Sequence, residues 1–307
     1  MTDHDAATPG ALPAPASFTA HRPLLGIALV MAATFLFACN DAANKFLVAD
    51  YQVPFVAAIR YVVHLGLMLA ILGPTRGHQL VATKRTGLVV VRAVCLVVAT
   101  LFFGLALQRM PIAETTAIVY VSPIIVVLLA RPLLGERIGA LGWVAAVAGF
   151  AGVLLIVRPG GGLDPLGVVY ILGNVVVTVS YYLLSRVLAH TERTLALLFY
   201  SALAGAIAFG LAVPWTMGGP APTPLQIALF ASLGCTAGLG HYCFTAAHRY
   251  AGASVLAPVN YLHLVWAGLF GWLIFGHVPL PLTVLGMAIV AASGLLVALR
   301  QVPLRRR

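Results

Sequence analysis

The chain has 307 residues, of which 61% are hydrophobic and 8% charged, with a mean hydropathy of +1.01 and a formal net charge of +10. Soluble domains carry about 25% charged residues, so this chain cannot coat a water-facing surface of its own size, and a lipid-facing surface is implied. The positive balance does not point to nucleic acid. The basic residues stand singly or in pairs between long apolar runs, as membrane topology signals do.

Residues 1–23 are rich in Ala and Pro and carry Asp3 and Asp5. With no basic segment before an apolar core they do not read as a signal peptide. They are expected to form a short disordered cytoplasmic tail, with the first helix serving as an uncleaved insertion signal. A spanning helix needs about 20 mostly apolar residues, and ten segments qualify. They are 24–48, 54–72, 86–108, 111–130 and 138–157, then 166–189, 195–217, 224–248, 254–275 and 280–300. Residues 301–307 form a basic cytoplasmic tail. The connecting loops leave no room for a soluble domain.

Polar residues inside apolar spans cost about 2.5–3.5 kcal/mol per charge on insertion scales and persist where they face a cavity or a partner. The first span holds Asn40, Asp41, Asn44 and Lys45; Asp41 and Lys45 are four apart, share a face and can pair. The second holds Arg60, Tyr61 and His64. Asp41 and Arg60 each lie about 9 Å below the same membrane surface at about 1.5 Å per residue, which makes a contact across the hairpin reasonable. Such a pair would serve either as a structural ion pair or as a gate and solute anchor. The fourth span offers Glu114, Thr115, Thr116, Tyr120 and Ser122, and Pro123 breaks its hydrogen-bond ladder. Glu114, in its first turn, complements the helix dipole. Glu136 and Arg137 read as a loop ion pair or a cytoplasmic gate. His241 and Tyr242 lie on the eighth span. The ninth carries Pro258, Asn260, Tyr261, His263 and Trp266. Gly149 and Gly152 on the fifth span and Gly286 and Gly294 on the tenth allow close helix approach, and these two helices are expected to act as scaffold or homodimer contact. Cys39, Cys95, Cys235 and Cys243 read as packing residues.

Placing the N-terminus in the cytoplasm collects Arg22, Arg76, Lys84, Arg85, Arg131, Arg137, Arg193, Arg249 and Arg305 to Arg307 on that side. The opposite loops keep little beyond Arg109 and Arg158. This asymmetry favours both termini inside, at the inner membrane of a bacterium. A single offset of 141 (167 − 26) pairs Gly26 with Gly167, Lys45 with Arg186, Phe103 with Phe244, Ala106 with Ala247, Tyr120 with Tyr261 and Gly135 with Gly276. The same offset superimposes the helix starts, giving repeats at 24–158 and 166–300. Each repeat has five spans, an odd number, so the second copy enters from the opposite side. Such inverted pairs support alternating access.

The stretch Arg109-Met-Pro-Ile-Ala-Glu-Thr-Thr-Ala117, then Val121-Ser-Pro-Ile124, Leu133-Leu-Gly-Glu-Arg-Ile138, Gly149-Phe-Ala-Gly-Val153 and Arg158-Pro-Gly160 resembles the EamA repeat of the drug/metabolite transporter superfamily. The second half resembles it through Ala253-Ser-Val-Leu-Ala-Pro258, Tyr261 and Gly286 to Gly294. One departure is that Glu136 follows the Leu-Gly pair of the first copy, whereas the second copy reads Phe275-Gly-His277. The resemblance implies an all-α bundle of ten helices that carries amino acids, nucleotide-related metabolites or vitamins. Members with a similar Phe37-Ala-Cys-Asn-Asp41 and Arg60-Tyr61 include proteins thought to move riboflavin or S-adenosylmethionine.

The expected solute-binding or gating set is Asp41, Lys45, Arg60, Tyr120, His241, Asn260, Tyr261, His263 and Trp266. Paired aromatics with polar tips, Tyr120 and Tyr261, suit a cavity wall. The expected partners are a small-molecule solute and the lipid bilayer, with no nucleic acid and no cofactor. An enzyme would need a nucleophile with a base, a metal motif or clustered carboxylates; none is evident, and neither catalytic nor metal-ligating residues are assigned. A channel would need a filter-like ring or a repeated polar stripe. Off-centre polar clusters in an inverted repeat fit a carrier better.

Overall fold

The computed structural model describes residues 23–122, 124–126, 128–129, 140–158, 162–188, 191–247, 250, 256 and 259–300. The two terminal tails, Pro123, Pro258, Glu136 and Arg137 lie outside the described residues. Among the described residues there are ten α-helices and no strand. They are α1 Pro23–Leu47, α2 Val53–Val81, α3 Thr86–Arg109, α4 Ile112–Val119, α5 Ala140–Val157, α6 Pro165–Leu188, α7 Thr194–Thr216, α8 Pro224–Ala247, α9 Leu262–Phe275 and α10 Pro281–Arg300. By length and composition α1, α2, α3, α6, α7 and α8 can cross a membrane, and shorter apolar helical stretches begin at Ile112, at the start of α4, and fall within α5, α9 and α10. Phe150, Ile71, Leu211 and Trp215 are each more than 60% exposed. A soluble surface rarely tolerates such residues in contiguous patches. The chain is a multi-pass integral membrane protein.

Exchanging each helix for the one five places later preserves the main packing contacts. α3 lies along α6 as α8 lies along α1; α2 meets α8 as α7 meets α3; α1 meets α9 as α6 meets α4. The pairs α2–α7, α4–α9 and α5–α10 map onto themselves, so they straddle a pseudo-two-fold axis. Direction follows from the contacts. Asn40 bonds Leu233 and Thr236 while Tyr51 bonds Gln226, so α1 and α8 run antiparallel. Arg109 meets Asp164 while Arg92 meets Ser185, so α3 and α6 do too. α1 and α3 point one way and α6 and α8 the other, which makes the repeats inverted.

Two departures from the sequence reading have local causes. α2 does not stop near residue 72 but continues to Val81, through Pro74 and a kink at Arg76 (φ −138°, ψ 20°). Its extension is held because Leu80, 1% exposed, packs with Phe199 and Ala202 of α7. The fourth and ninth spans are not continuous helices. α4 ends at Val119, and the turn at Tyr120–Val121 is closed by bonds from Val121 N–H to Ile118 O (3.2 Å) and Tyr120 N–H to Ala117 O (3.2 Å). Pro123 has no N–H to offer Val119 O. In the second repeat the turn falls at Tyr261, the residue 141 further on. The breaks are therefore mates.

Both ends of the bundle are tied by side chains that serve backbone. At the end carrying the α1–α2 turn, Gln226 Nε2 donates to Asp50 (2.7 Å) and Tyr51 O–H to Pro220 O (3.1 Å). Gly219 (φ 124°) lies so close that a Cβ there would stand 2.9 Å from Asp50 O. Asp164 caps α6 by accepting from Gly167 N–H (2.7 Å). That bond, then Arg109, holds its carboxyl below the usual carboxylate range. At the opposite end the Glu192 carboxylate accepts from Lys84 N–H and Arg85 N–H (2.8 Å to the latter), covering the positive start of α3. α5 and α10 meet through Gly152 and Gly286, where a Cβ on either would strike the other's carbonyl within 3 Å. All four cysteines are free.

Candidate functional site

The two helix breaks bring the polar residues of α4 and α9 together on the pseudo-axis. The Tyr120 and Tyr261 rings lie 5.2 Å apart between centroids. Tyr120 O–H donates to Asn260 O (3.1 Å), a carbonyl in the interrupted segment before α9, and sits 3.2 Å from His263 Nδ1. His263 Nε2 in turn lies 3.2 Å from Asp41 Oδ2. This gives a chain Asp41–His263–Tyr120–Asn260 that links α1, α9 and α4. His263 and Asp41 are each less than 15% exposed, so the pair sits in a setting where charge is poorly screened. Phe37 forms a wall beside it, with ring contacts to His241 (5.0 Å) and His263 (6.2 Å). Trp266 stands edge-on to Phe35 at 5.4 Å, and its indole N–H is buried without a partner among the described residues.

The expected partners of Asp41 are corrected. Neither Arg60 nor Lys45 pairs with it. α8 is inserted between α1 and α2, which pack on α8 and not closely on each other, so the hairpin geometry assumed for Asp41 and Arg60 does not arise. Arg60 Nη2 instead donates to Thr100 Oγ1 (2.9 Å), and its guanidinium lies 4.7 Å over the Tyr61 ring. Tyr61 and Thr100 hydroxyls bond each other (2.7 Å).

Lys45 reaches past Asp41 to the end of α3, where Nζ donates to Leu107 O (2.6 Å) and Met110 O (2.9 Å). A cation there complements the carboxyl end of a helix. Glu114 is more than a helix-start charge. It is 3% exposed, within electrostatic reach of Lys45, and its Oε1 lies 3.0 Å from His277 Nε2. Lys45, Glu114 and His277 thus close the first end of the bundle by joining α1, α3, α4 and the segment after α9.

Arg92 and Tyr182 escaped the sequence reading, and His64 was read on the second span without being placed in the site. Arg92 is 5% exposed, with Nε to Ser185 (2.6 Å), Nη1 to Leu197 O (3.1 Å) and Ser201 (3.0 Å), and Nη2 to Tyr181 (2.7 Å). Tyr182 lies within electrostatic reach of Tyr120 and Tyr261 yet is 40% exposed. His64 packs against Gly234 and Gly238 and faces His241. A signal for Tyr182 existed, because the 141 offset makes it the mate of Asp41; Arg92, a lone base near a span end, offered none.

Two successive segments of the chain, 24–158 and 165–299, match the EamA-like transporter family. The protein belongs to that family. The matched segments are themselves offset by 141. A transporter of uncharacterised substrate from Helicobacter pylori is 29% identical over 287 residues, 90% of this chain and 95% of that one. A riboflavin transporter of Rhizobium johnstonii is 32% identical over 193 residues, 62% of this chain and 63% of that one. A solved crystal structure 20% identical to the chain superposes with a TM-score of 0.62 over 89% of this chain and 96% of its own. The fold is shared with that structure.

Proposed function

We propose that this protein is a secondary transporter that carries a small polar organic metabolite, of amino-acid, nucleotide-related or vitamin-like kind, across a bacterial inner membrane by alternating access. In this reading all ten helices belong to spans, both termini face the cytoplasm, and the Lys45–Glu114–His277 end faces outward. The EamA-like relatives include a riboflavin transporter, which favours a vitamin-like or nucleotide-related solute. The observation that carries the reading is the pair of mated breaks at Tyr120 and Tyr261, with Asp41 and His263 bound to them. Interrupted helices meeting at a repeat interface are where carriers of this architecture hold solute.

Burial supports alternation. Asn40, Ala42, Ala43 and Asn44 of α1 are buried, whereas their mates Tyr181, Leu183, Leu184 and Ser185 of α6 are half-buried and Tyr182 is open. Two repeats of equal design thus stand in unequal states, sealed outward and loosened inward. Exchanging those states would give the opposite-facing form.

Comparison of the metabolites accumulated by cells with and without the protein names the solute. In proteoliposomes, saturable uptake that shows counterflow separates a carrier from a channel. We expect Asp41→Asn to cut that uptake at least tenfold with the protein still folded, and normal transport by this variant would refute the role given to Asp41.

A further inference from the structure

We propose that the transported solute is an organic anion whose carboxylate or phosphate group is held by Arg60, with the buried Arg92 supplying fixed positive charge. This rests on the transporter reading and names the chemistry of its binding site. The argument is one of uncompensated charge. Among helix-interior side chains described, Asp41 faces His263, and Glu114 faces His277 within reach of Lys45. Each carboxylate thus has an imidazole beside it, and neither lies beside an arginine. The two guanidiniums have no carboxylate partner among the described residues. Arg92 meets two serines, a tyrosine hydroxyl and a carbonyl, all neutral. Arg60 meets only Thr100 and the Tyr61 ring. A cation within a span is retained where it pairs or lines a water-filled path.

The arginines lie on α2 and α3, each stacked on a tyrosine, at 4.7 Å over Tyr61 and 4.3 Å over Tyr181, and both lie within electrostatic reach of His241. No carboxylate is bonded anywhere in this group. Arg60 is half-buried, and its Nε and Nη1 have no hydrogen-bond partner among the described residues. These are free donors in the fork geometry that matches a carboxylate or phosphate. Arg92, held on all sides, supplies fixed charge. Phe37, half-buried beside His241, offers an aromatic surface to the rest of the solute.

The test uses the full-length protein in detergent and two matched pairs: nicotinate against nicotinamide, and adenosine monophosphate against adenosine. Binding is read by calorimetry. The anionic member of at least one pair should bind at least tenfold more tightly than its neutral partner. Arg60→Gln should erase that preference and Arg60→Lys recover part of it. A response to nicotinate alone assigns a carboxylate, and a response to adenosine monophosphate alone a phosphate. Without any variant, binding of the anion should weaken as sodium chloride is added while that of the neutral partner does not. Equal or reversed preference, binding by neither pair, salt-indifferent anion binding, or a preference that survives Arg60→Gln overturns the proposal. Flux in proteoliposomes separates it from the reading beneath it. Anion binding without flux refutes transport and leaves the site standing, whereas flux of the neutral members alone refutes the site and leaves transport standing.

Discussion

Gly205 of α7 is where the bundle's packing and the arginine site meet, and a single methyl there has a calculable effect. A Cβ at position 205 would stand 2.4, 2.5 and 2.6 Å from Cγ, Cδ1 and Cδ2 of the Tyr61 ring. That ring is 4% exposed and also stacks on Phe209 of the same helix, at 5.8 Å and 14°. It can retreat only away from α7, toward the Arg60 guanidinium 4.7 Å above its other face. Overpacking of this kind costs about 1–3 kcal/mol, set against about 1 kcal/mol of helix propensity gained when alanine replaces glycine. Gly210, on the same helix, has nothing within 4 Å of a built Cβ, so Gly210→Ala keeps the propensity gain without the clash. The two variants should therefore differ in unfolding free energy by about 1–3 kcal/mol, Gly205→Ala being the weaker, measured by thermal and denaturant unfolding in one detergent. Gly205→Ala should also loosen the Tyr61–Thr100–Arg60 contacts and reduce uptake, with Gly210→Ala unaffected. Equal stability of the two variants would refute the packing argument.

Other consequences can be checked separately. Glu192→Ala removes the carboxylate that covers the α3 N-terminus and should destabilise the protein by about 1–2 kcal/mol, as losing a helix cap does, measured by unfolding in detergent. Asp164 has its folded-state pKa lowered, first by the Gly167 N–H and also by Arg109. Its contribution to stability is therefore present above the unfolded carboxylate pKa of about 3.9 and is lost as pH falls through the folded value. The stability gap between wild type and Asp164→Asn should be full at neutral pH and close in strong acid. Glu114→Ala leaves Lys45 and His277 without their carboxylate and should open the first end of the bundle. In a cysteine-free background, Ala43→Cys, at a position now 6% exposed, should then be labelled at least tenfold faster by a membrane-impermeant thiol reagent added from that side.

What could be read in the sequence was whatever depends on composition and period. Span positions depend on apolar length, and the repeat depends on one offset applied to the whole chain. The two helix breaks were half legible. Pro123 announced the first, and the offset from Tyr120 to Tyr261 carried it to the second, but only the fold showed that both breaks lie on the axis and that Asn260 O is taken by Tyr120. The length of α2 was not legible, because Pro74 is an ordinary helix stop. The apolar support that overrides it comes from Phe199 and Ala202, more than a hundred residues away.

The partner of Asp41 was misread for a reason that bears on the mechanism. Consecutive helices are expected to be neighbours, and an α1–α2 hairpin would set Asp41 opposite Arg60. In this fold α8 fills the space between α1 and α2, and its mate α3 fills the space between α6 and α7. The interdigitation removes Arg60 from Asp41 and delivers it to Thr100 of α3. The cost is a cation in the bundle interior with no carboxylate beside it. The gain is a separation of tasks: Asp41 and His263 sit at the helix breaks where the repeats meet, while Arg60 lies against Thr100 and Tyr61. A hairpin ion pair would have cancelled both charges. By threading one repeat through the other, the fold keeps an acid–imidazole pair on its axis and leaves Arg60 without a carboxylate partner among the described residues.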